Sequence, residues 1–391
     1  MKILLVDVLS GKSSIQRTIP LGLLKLSTFY KSSGCEVKLC TQLDVPKEFN
    51  PDVICFSCVF IYKIHLDIGA IRGFAKKFPK AKIRVGGVSP TMKYEFFRKH
   101  LGAGVEIFKG IDYEIEYLRP DWELIPLHTS YGFTSRGCNR KCPWCVVPVM
   151  EGKIKLIDGW QIQLGPQKVF KAYDNNILAT SPEWMESVMA EMHRQNKKID
   201  FNQAMDCRLF AKNKEYHKIF KTYESTFEII RFSYDSNNLK NNVIKTNEVL
   251  REDLKINKLV MWYMLYGNGE TIEDLWERIH TVFSYENQKI KPMRFKDLET
   301  GKYRCHGWCD AFASYLSITC GIVGLMTEYM YSKGLYGRNI EEFKRLIFML
   351  GGNLPKIRSA FGSGFQFKSK HYAFIRGVAE GKIKNLKELE L

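Results

Sequence analysis

The chain has 391 residues, 45% hydrophobic and 26% charged, with a formal net charge of +17. That length exceeds one ordinary core and suits two or three domains, and the composition is globular, without low-complexity tracts or internal repeats. The charge permits nucleic acid, an acidic partner or a phosphorylated substrate and proves none of them, since solubility and genome composition give the same excess of Lys.

Residues 1–11 (MKILLVDVLSG) hold a short apolar run that contains an Asp, which suits a buried strand and not a signal peptide. The most apolar stretch, Ala311 to Tyr331, is interrupted by Ser, Thr and Glu328. It is expected to be a buried helix and not a membrane span, so a cytoplasmic protein without membrane partners is expected. Eleven cysteines in such a chain are expected to be reduced, with clustered ones pointing to metal and scattered ones to core.

In chain order, Lys2 to Val8 is an apolar, β-branched run and predicts a buried strand. Pro20 to Ser33 predicts a helix with Leu21, Leu23, Leu24, Leu26 and Phe29 on its apolar face, closed by Gly34. Strands are expected at Glu36 to Cys40, at Val53 to Phe60 after the Asn50-Pro51-Asp52 turn, at Lys82 to Val85, and at Val105 to Phe108. Helices are expected at Ile68 to Phe78 and near Met92 to His100. This alternation predicts an α/β domain over residues 1–118 with a doubly wound parallel sheet, whose ligands sit at the carboxyl ends of the strands. Asp7, Ser57 and the Gly86-Gly87-Val88-Ser89-Pro90 turn fall there. Gly86 and Gly87 admit either a close ligand or a tight turn.

Residues 111–130 are expected to be an extended connector pinned by Trp122 between Pro120 and Pro126. From Thr134 the alternation resumes, with strands at Val169 to Tyr173, Ile199 to Gln203, Glu228 to Phe232 and Leu259 to Tyr266. Helices are expected at Pro182 to Arg194 and Thr271 to Phe283. Residues 125–300 therefore predict a full or partial (β/α) barrel that works at the carboxyl ends of its strands. Residues 301–391 are expected to be helical and basic, with helices at Cys309 to Lys333 and Ile340 to Met349.

The segment Ser135-Arg136-Gly137-Cys138-Asn139-Arg140-Lys141-Cys142-Pro143-Trp144-Cys145 is the most informative. Eleven cysteines placed at random would give its Cys-x3-Cys-x2-Cys spacing about once in a hundred such chains. Zinc would want a fourth ligand, for which His128 is the nearest upstream histidine. An iron–sulfur cube accepts three thiolates and keeps one iron open.

On these residues the chain resembles the radical S-adenosylmethionine (SAM) superfamily, with Trp144 at the aromatic position before the third cysteine. The resemblance implies a 4Fe-4S cluster on Cys138, Cys142 and Cys145. It implies SAM on the open iron, reductive cleavage to a 5′-deoxyadenosyl radical, and an electron donor such as flavodoxin or ferredoxin. Asp174 and Asn175, in Tyr173-Asp174-Asn175-Asn176, stand where many relatives carry Gly-Gly-Glu and meet the methionyl group. Gln203 and Arg208, in the segment Phe201 to Arg208, resemble the next strand end, and Tyr266 to Thr271 the turn over the adenine. A glycine-rich strand for the adenine is missing.

Ile19 to Leu24, Ser57 and Val85-Gly86-Gly87 resemble the cobalamin-binding-type domain that precedes many such barrels. Its Asp-x-His-x-x-Gly loop is missing, since Val8, Leu9, Ser10 and Gly11 follow Asp7. Cobalamin, and with it methyl transfer, stays open. Cys142-Pro-Trp-Cys-Val-Val-Pro also resembles the tRNA methylthiotransferases, although their N-terminal cysteine set and small β-barrel are missing. A third alternative, motivated by charge, is a metal-stabilised, non-catalytic nucleic-acid binder. Cys305, Cys309 and Cys320 suit a second metal site or a core. The basic, aromatic stretch from Lys356 to Lys387 suits stacked bases or a solvated face. Cys35, Cys40, Cys55 and Cys58 are expected in the core.

Overall fold

The computed structural model describes residues 1–8, 19–41, 44–125, 127–268, 270, 272–295 and 297–299. They divide into two compact units, one within residues 1–205, 222–228 and 297–299, the other within residues 206–221 and 229–295.

The first unit begins with β1 (Lys2–Asp7), α1 (Leu21–Ser32), β2 (Glu36–Thr41), β3 (Val53–Ser57) and α2 (Ile64–Lys77). There follow β4 (Lys82–Gly86), α3 (Val88–Met92), α4 (Tyr94–Leu101), β5 (Val105–Ile107) and α5 (Tyr113–Glu116). The five strands form one sheet in the order β2-β1-β3-β4-β5, and every pair is parallel. Ile3, Leu4, Leu5 and Val6 are fully buried, as a central strand covered on both faces requires. Leu4, Val6 and Val85 meet Ile68, Ile71, Phe74 and Phe97 on one face, while Ile3, Leu5 and Cys55 meet Leu23 and Tyr30 on the other. Cys35, Cys40, Cys55 and Cys58 are buried free thiols, as expected of core residues.

The sheet order reverses between β1 and β3, and one row of paired residues crosses the carboxyl edge there: Thr41, Asp7, Ser57 and Gly86. Three departures from expectation lie near this edge. The third strand stops at Ser57, short of Phe60, and a 3-10 turn at Ile61–Lys63 leads into α2, which starts four residues before Ile68. The Gly86 to Pro90 turn is also the start of a helix, because Pro90 sits in the first turn of α3, where a missing N–H costs nothing.

The connector carries α5 and ends in β6 (Thr129–Gly132), a strand the sequence did not signal. Trp122 is buried with Ile19, Leu21 and Leu24, and Tyr131, Phe133 and Tyr173 pack on the same cluster. The chain continues through β7 (Ser135–Arg136), α6 (Val147–Met150), β8 (Lys155–Leu156), β9 (Val169–Ala172), α7 (Pro182–Arg194) and β10 (Lys198–Phe201). Ser181 caps α7 by accepting from the Trp184 N–H, with Pro182 at the first helical position. A parallel sheet joins β10, β9 and β6, and β7 pairs antiparallel with β8.

The second unit follows with β11 (Met205–Asp206), α8 (Cys207–Lys212), α9 (Lys214–Thr222), β12 (Ile230–Ser233), α10 (Lys240–Glu248), β13 (Val260–Tyr266), α11 (Ile272–Phe283) and β14 (Gln288–Arg294). Its sheet order is β11-β12-β13-β14, with β12, β13 and β14 parallel. The strands expected of a barrel are thus present in two sheets of three and four strands, and the described residues do not show them closed into one barrel. Among the described residues no helix is long and apolar enough to cross a membrane. The expected helices beyond residue 300, the apolar stretch at Ala311, the Cys305, Cys309 and Cys320 set and the basic stretch from Lys356 lie outside the described residues, as do Leu9 to Thr18.

Candidate metal centre

The three cysteines lie on one excursion of the chain between β7 and β8. The ladder that closes it has two residue pairs, Ser135 with Leu156 and Arg136 with Lys155. Inside the ladder the Cys138 N–H donates to the Gly152 carbonyl at 3.0 Å, and the Cys145 N–H donates to the Cys142 carbonyl at 3.0 Å. Gly137 is required where the two arms cross. Its φ is +82°, and an added Cβ would lie 2.1 Å from the Lys153 carbonyl oxygen.

Cys138, Cys142 and Cys145 are all half-buried, as is Trp144. Burial pushes the Cys145 thiol up, the Val147 N–H opposes this, and the charges of Cys142, Cys138 and Glu151 add to the rise. Three soft sulfur donors on one short loop fit the chemistry of an iron–sulfur cube. They are not gathered round a common point: among the described residues no group of three His, Cys, Asp or Glu side chains is close enough to hold a metal ion.

A buried polar frame surrounds the excursion. Glu151 is the only acidic residue of the excursion itself, residues 137–154. The Glu151 carboxylate accepts from the Gly137 N–H at 2.8 Å, Asn175 Nδ2 at 2.7 Å and Arg136 Nη1 at 3.1 Å. The Arg136 guanidinium also donates twice to Glu116, at 3.0 Å each, and lies 3.3 Å from the centre of the Phe133 ring. Glu116 in turn accepts an ion pair from Lys25 on α1, whose Nζ also donates to the Glu116 carbonyl at 2.6 Å. Burial pulls Lys25 down to about 8, opposed by Glu116 and helped by Arg136. Burial alone would raise Glu116, but the charge and bonds of Arg136, and then of Lys25, hold it below its ordinary value.

Asp174 is 1% exposed, and its carboxylate is fully engaged. It accepts from the Thr134 N–H at 2.9 Å, the Thr134 hydroxyl at 2.6 Å and the Ser135 hydroxyl at 2.7 Å. Burial raises its pKa, and these bonds oppose the rise. Asp174 therefore ties the turn after β9 to the strand that enters the cysteine loop. The bonds of Asp174 and of Asn175 bring both residues to the frame of the loop. Gln203 is exposed just beyond β10.

Arg208 falls in the second unit. Its guanidinium is held by Asp206 at 2.7 and 2.9 Å, and its N–H donates to the same carboxylate at the start of α8. Beyond the ends of β12 and β13 in that unit, burial lifts Asp235 to about 6, opposed by Arg278 and Arg208. Arg278 is fully buried and binds the carbonyls of Tyr234 and Leu265 and the Glu270 carboxylate. In the Tyr266 to Thr271 turn, the Gly267 N–H donates to Glu270 at 3.1 Å, while Gly269 and Thr271 lie outside the described residues.

At the edge of the first sheet Ser57 and Gly86 are half-buried, and a Cβ on Gly86 would meet only Phe108, at 4.0 Å. Gly87 has a different role. At φ +113° its Cβ would strike the Cys58 carbonyl oxygen at 2.5 Å, so the close approach it permits is to the chain's own backbone. α3, which leaves this edge, packs against α6, the turn that follows Cys145. The first histidine of the sequence is His65, so no histidine lies in the loop after Asp7.

Glu116, Arg136, Glu151 and Lys25 were not foreseen as a group. One signal was available: Lys25 interrupts the run of leucines on α1 at a position that is 1% exposed. Glu116 and Glu151 stand in segments without periodicity and gave none.

No family model matches the chain, and no curated protein matches it in sequence. Among solved structures it is similar to that of an apo, selenomethionine-labelled, cobalamin-dependent S-adenosylmethionine radical enzyme, OxsB. The TM-score is 0.48 and the identity 15%, over 72% of this chain and 51% of that one, so the chain spans about half the length of that protein. At that identity and TM-score the likeness carries no weight for activity or ligands.

Proposed function

We propose that the chain is a radical SAM enzyme in which Cys138, Cys142 and Cys145 hold a 4Fe-4S cluster, with SAM on the remaining iron. The observation that carries this is Cys-x3-Cys-x2-Cys with Trp144 before the third cysteine, on the excursion between β7 and β8 that follows the carboxyl end of β6, a strand of a parallel sheet. When bound, the cluster and SAM would supply a radical that abstracts a hydrogen atom from an unactivated carbon. The chain's own part is to hold and screen. Asp174 fixes Thr134 and Ser135 at the entry to the loop, and Glu151 binds the first residue of the loop to Asn175. Trp144, half-buried and next to Cys145 in the chain, would screen the cluster from water. Exposed Gln203, at the carboxyl end of the same sheet, offers an amide to SAM or substrate.

The edge at Ser57 and Gly86 is the second binding surface in this proposal. A corrin there would bind without a protein ligand to cobalt, and the reaction would then be methyl transfer; otherwise the edge takes substrate. Flavodoxin or ferredoxin is the expected electron donor. Anaerobic reconstitution tests the proposal. The wild-type chain should take up about four irons and four sulfides, and the triple Cys→Ala variant none. Uptake of zinc in place of iron, or equal iron in the variant, would remove the proposal.

A further inference from the structure

We propose that Arg136 and Glu151 are positioning residues that set the cysteine loop before any metal binds and fasten it, through Glu116 and Lys25, to α1 and the first sheet. This rests on the loop being the metal centre proposed above, and concerns what holds it in shape.

The need for such a device is visible in the loop itself. Its closing ladder has only two residue pairs, and a two-stranded ribbon of that length is marginal in water. The excursion it closes runs over residues 137–154. The structure puts the missing hold on one carboxylate. Glu151, at the far end of the loop, receives three donors from two separate segments: Arg136 and the N–H of the adjacent Gly137 at the loop's entry, and Asn175 in the turn after β9. Both ends of the loop therefore close on the same side chain.

Arg136 carries that hold across to the first sheet. Its planar fork meets Glu116 in two parallel bonds, an arrangement lysine cannot reproduce. Glu116 ends α5 and is itself bound by Lys25 from α1. Along the chain of contacts the charges alternate, with Lys25 and Arg136 positive and Glu116 and Glu151 negative. The buried set therefore balances, and losing any one member leaves a buried charge uncompensated. The side chains of Glu116 and Glu151 are only 6% and 9% exposed, so water cannot readily replace the lost partner.

The test uses the metal-free full-length chain. Alkylation rates of Cys138, Cys142 and Cys145 with iodoacetamide are read by mass spectrometry for wild type, Glu151→Gln, Arg136→Lys, Arg136→Gln, Glu116→Gln and the double variant Glu116→Gln/Arg136→Gln. Glu151→Gln and Arg136→Gln should raise the rates about tenfold, the factor given by about 1.4 kcal/mol of easier loop opening. Arg136→Lys should not restore them. The double variant should react no faster than Arg136→Gln alone, because one interaction has been removed twice. After reconstitution, the electron paramagnetic resonance spectrum of the reduced cluster should broaden in the Arg136 and Glu151 variants, a change that a general loss of stability does not produce.

Should a variant fail to fold, the wild-type chain still decides. Hydrogen exchange at the amides of Gly137 and Cys138 should be as slow as at β6 and β9, and fast exchange there overturns the proposal. Rates within twofold of wild type in folded Glu151→Gln and Arg136→Gln overturn it too. An effect of Arg136→Gln that Glu116→Gln lacks removes the link to the first sheet. A wild-type chain that takes up no iron overturns the metal centre and leaves these metal-free readouts to judge the clamp.

Discussion

Replacing Asp67 by Asn should stabilise the protein at neutral and alkaline pH and do so less, or not at all, in mild acid. Asp67 lies on α2 inside the first sheet's core, fully buried, and its carboxyl oxygens have no partner but the weak donor of the Cys58 thiol. Burial lifts its pKa from 3.8 to about 7, opposed by the charge of Lys63 and by the Cys58 thiol beside it. Below the unfolded value both states hold the proton, and the group has no net effect. Between there and pH 7 the unfolded chain releases the proton while the folded one keeps it. Stability therefore falls as pH rises through that window, and above the folded pKa the loss is constant. A shift of this size corresponds to about 4 kcal/mol. An asparagine has no charge to lose, although its buried amide costs about 1–3 kcal/mol when unpaired. The net gain for Asp67→Asn should be about 2 kcal/mol near pH 8, turning to a loss at pH 4.5. Urea unfolding of the metal-free chain, followed by circular dichroism at both pH values, measures it. A difference between variant and wild type that does not change with pH would refute the reasoning.

Three further outcomes follow from the site. Gly137→Ala should destabilise the loop by about 1–3 kcal/mol from backbone strain alone, and iron uptake should fall with it because the Cβ meets the Lys153 carbonyl; normal iron content would contradict the crossing described. Asp174→Asn should cost about 1–3 kcal/mol, because its amide nitrogen turns a donor toward Thr134 or Ser135, and thermal unfolding by calorimetry checks this. Purification with hydroxocobalamin decides the Ser57 and Gly86 edge: a corrinoid spectrum in the form without a protein ligand to cobalt assigns it to the corrin, and a colourless protein after iron removal assigns it to substrate.

The first sheet was legible because Ile3 to Val6, Val53 to Phe56 and Lys82 to Gly86 are short apolar or β-branched runs broken by clear turn residues. Bounds slipped where two signals competed: Val59 and Phe60 extend the apolar run past Ser57, yet the chain turns at Cys58 to pass Gly87. β14 escaped notice because Pro292 argues against a strand, and the sheet tolerates it there because β14 lies at the edge of the sheet order. α10, rich in Asn and β-branched residues, has little helical propensity, and its buried Val243, Thr246 and Asn247 show packing overriding it. The cysteine loop could be read from spacing alone. Its frame could not, since Glu116, Arg136 and Glu151 are far apart in sequence and meet only through the fold. Asp174 was picked out by its position after a strand, and only its hydrogen bonds reveal that the carboxylate is spent on Thr134 and Ser135.

The central claim, that these three cysteines make a radical SAM centre, is tested most directly by SAM cleavage. The reconstituted chain, reduced anaerobically with dithionite in the presence of SAM, should release 5′-deoxyadenosine and methionine in step. Cys138→Ala, Cys142→Ala and Cys145→Ala should each release none while keeping the wild-type circular dichroism spectrum. Deoxyadenosine from the triple variant, or none from a wild-type chain carrying a full complement of iron, would contradict the account.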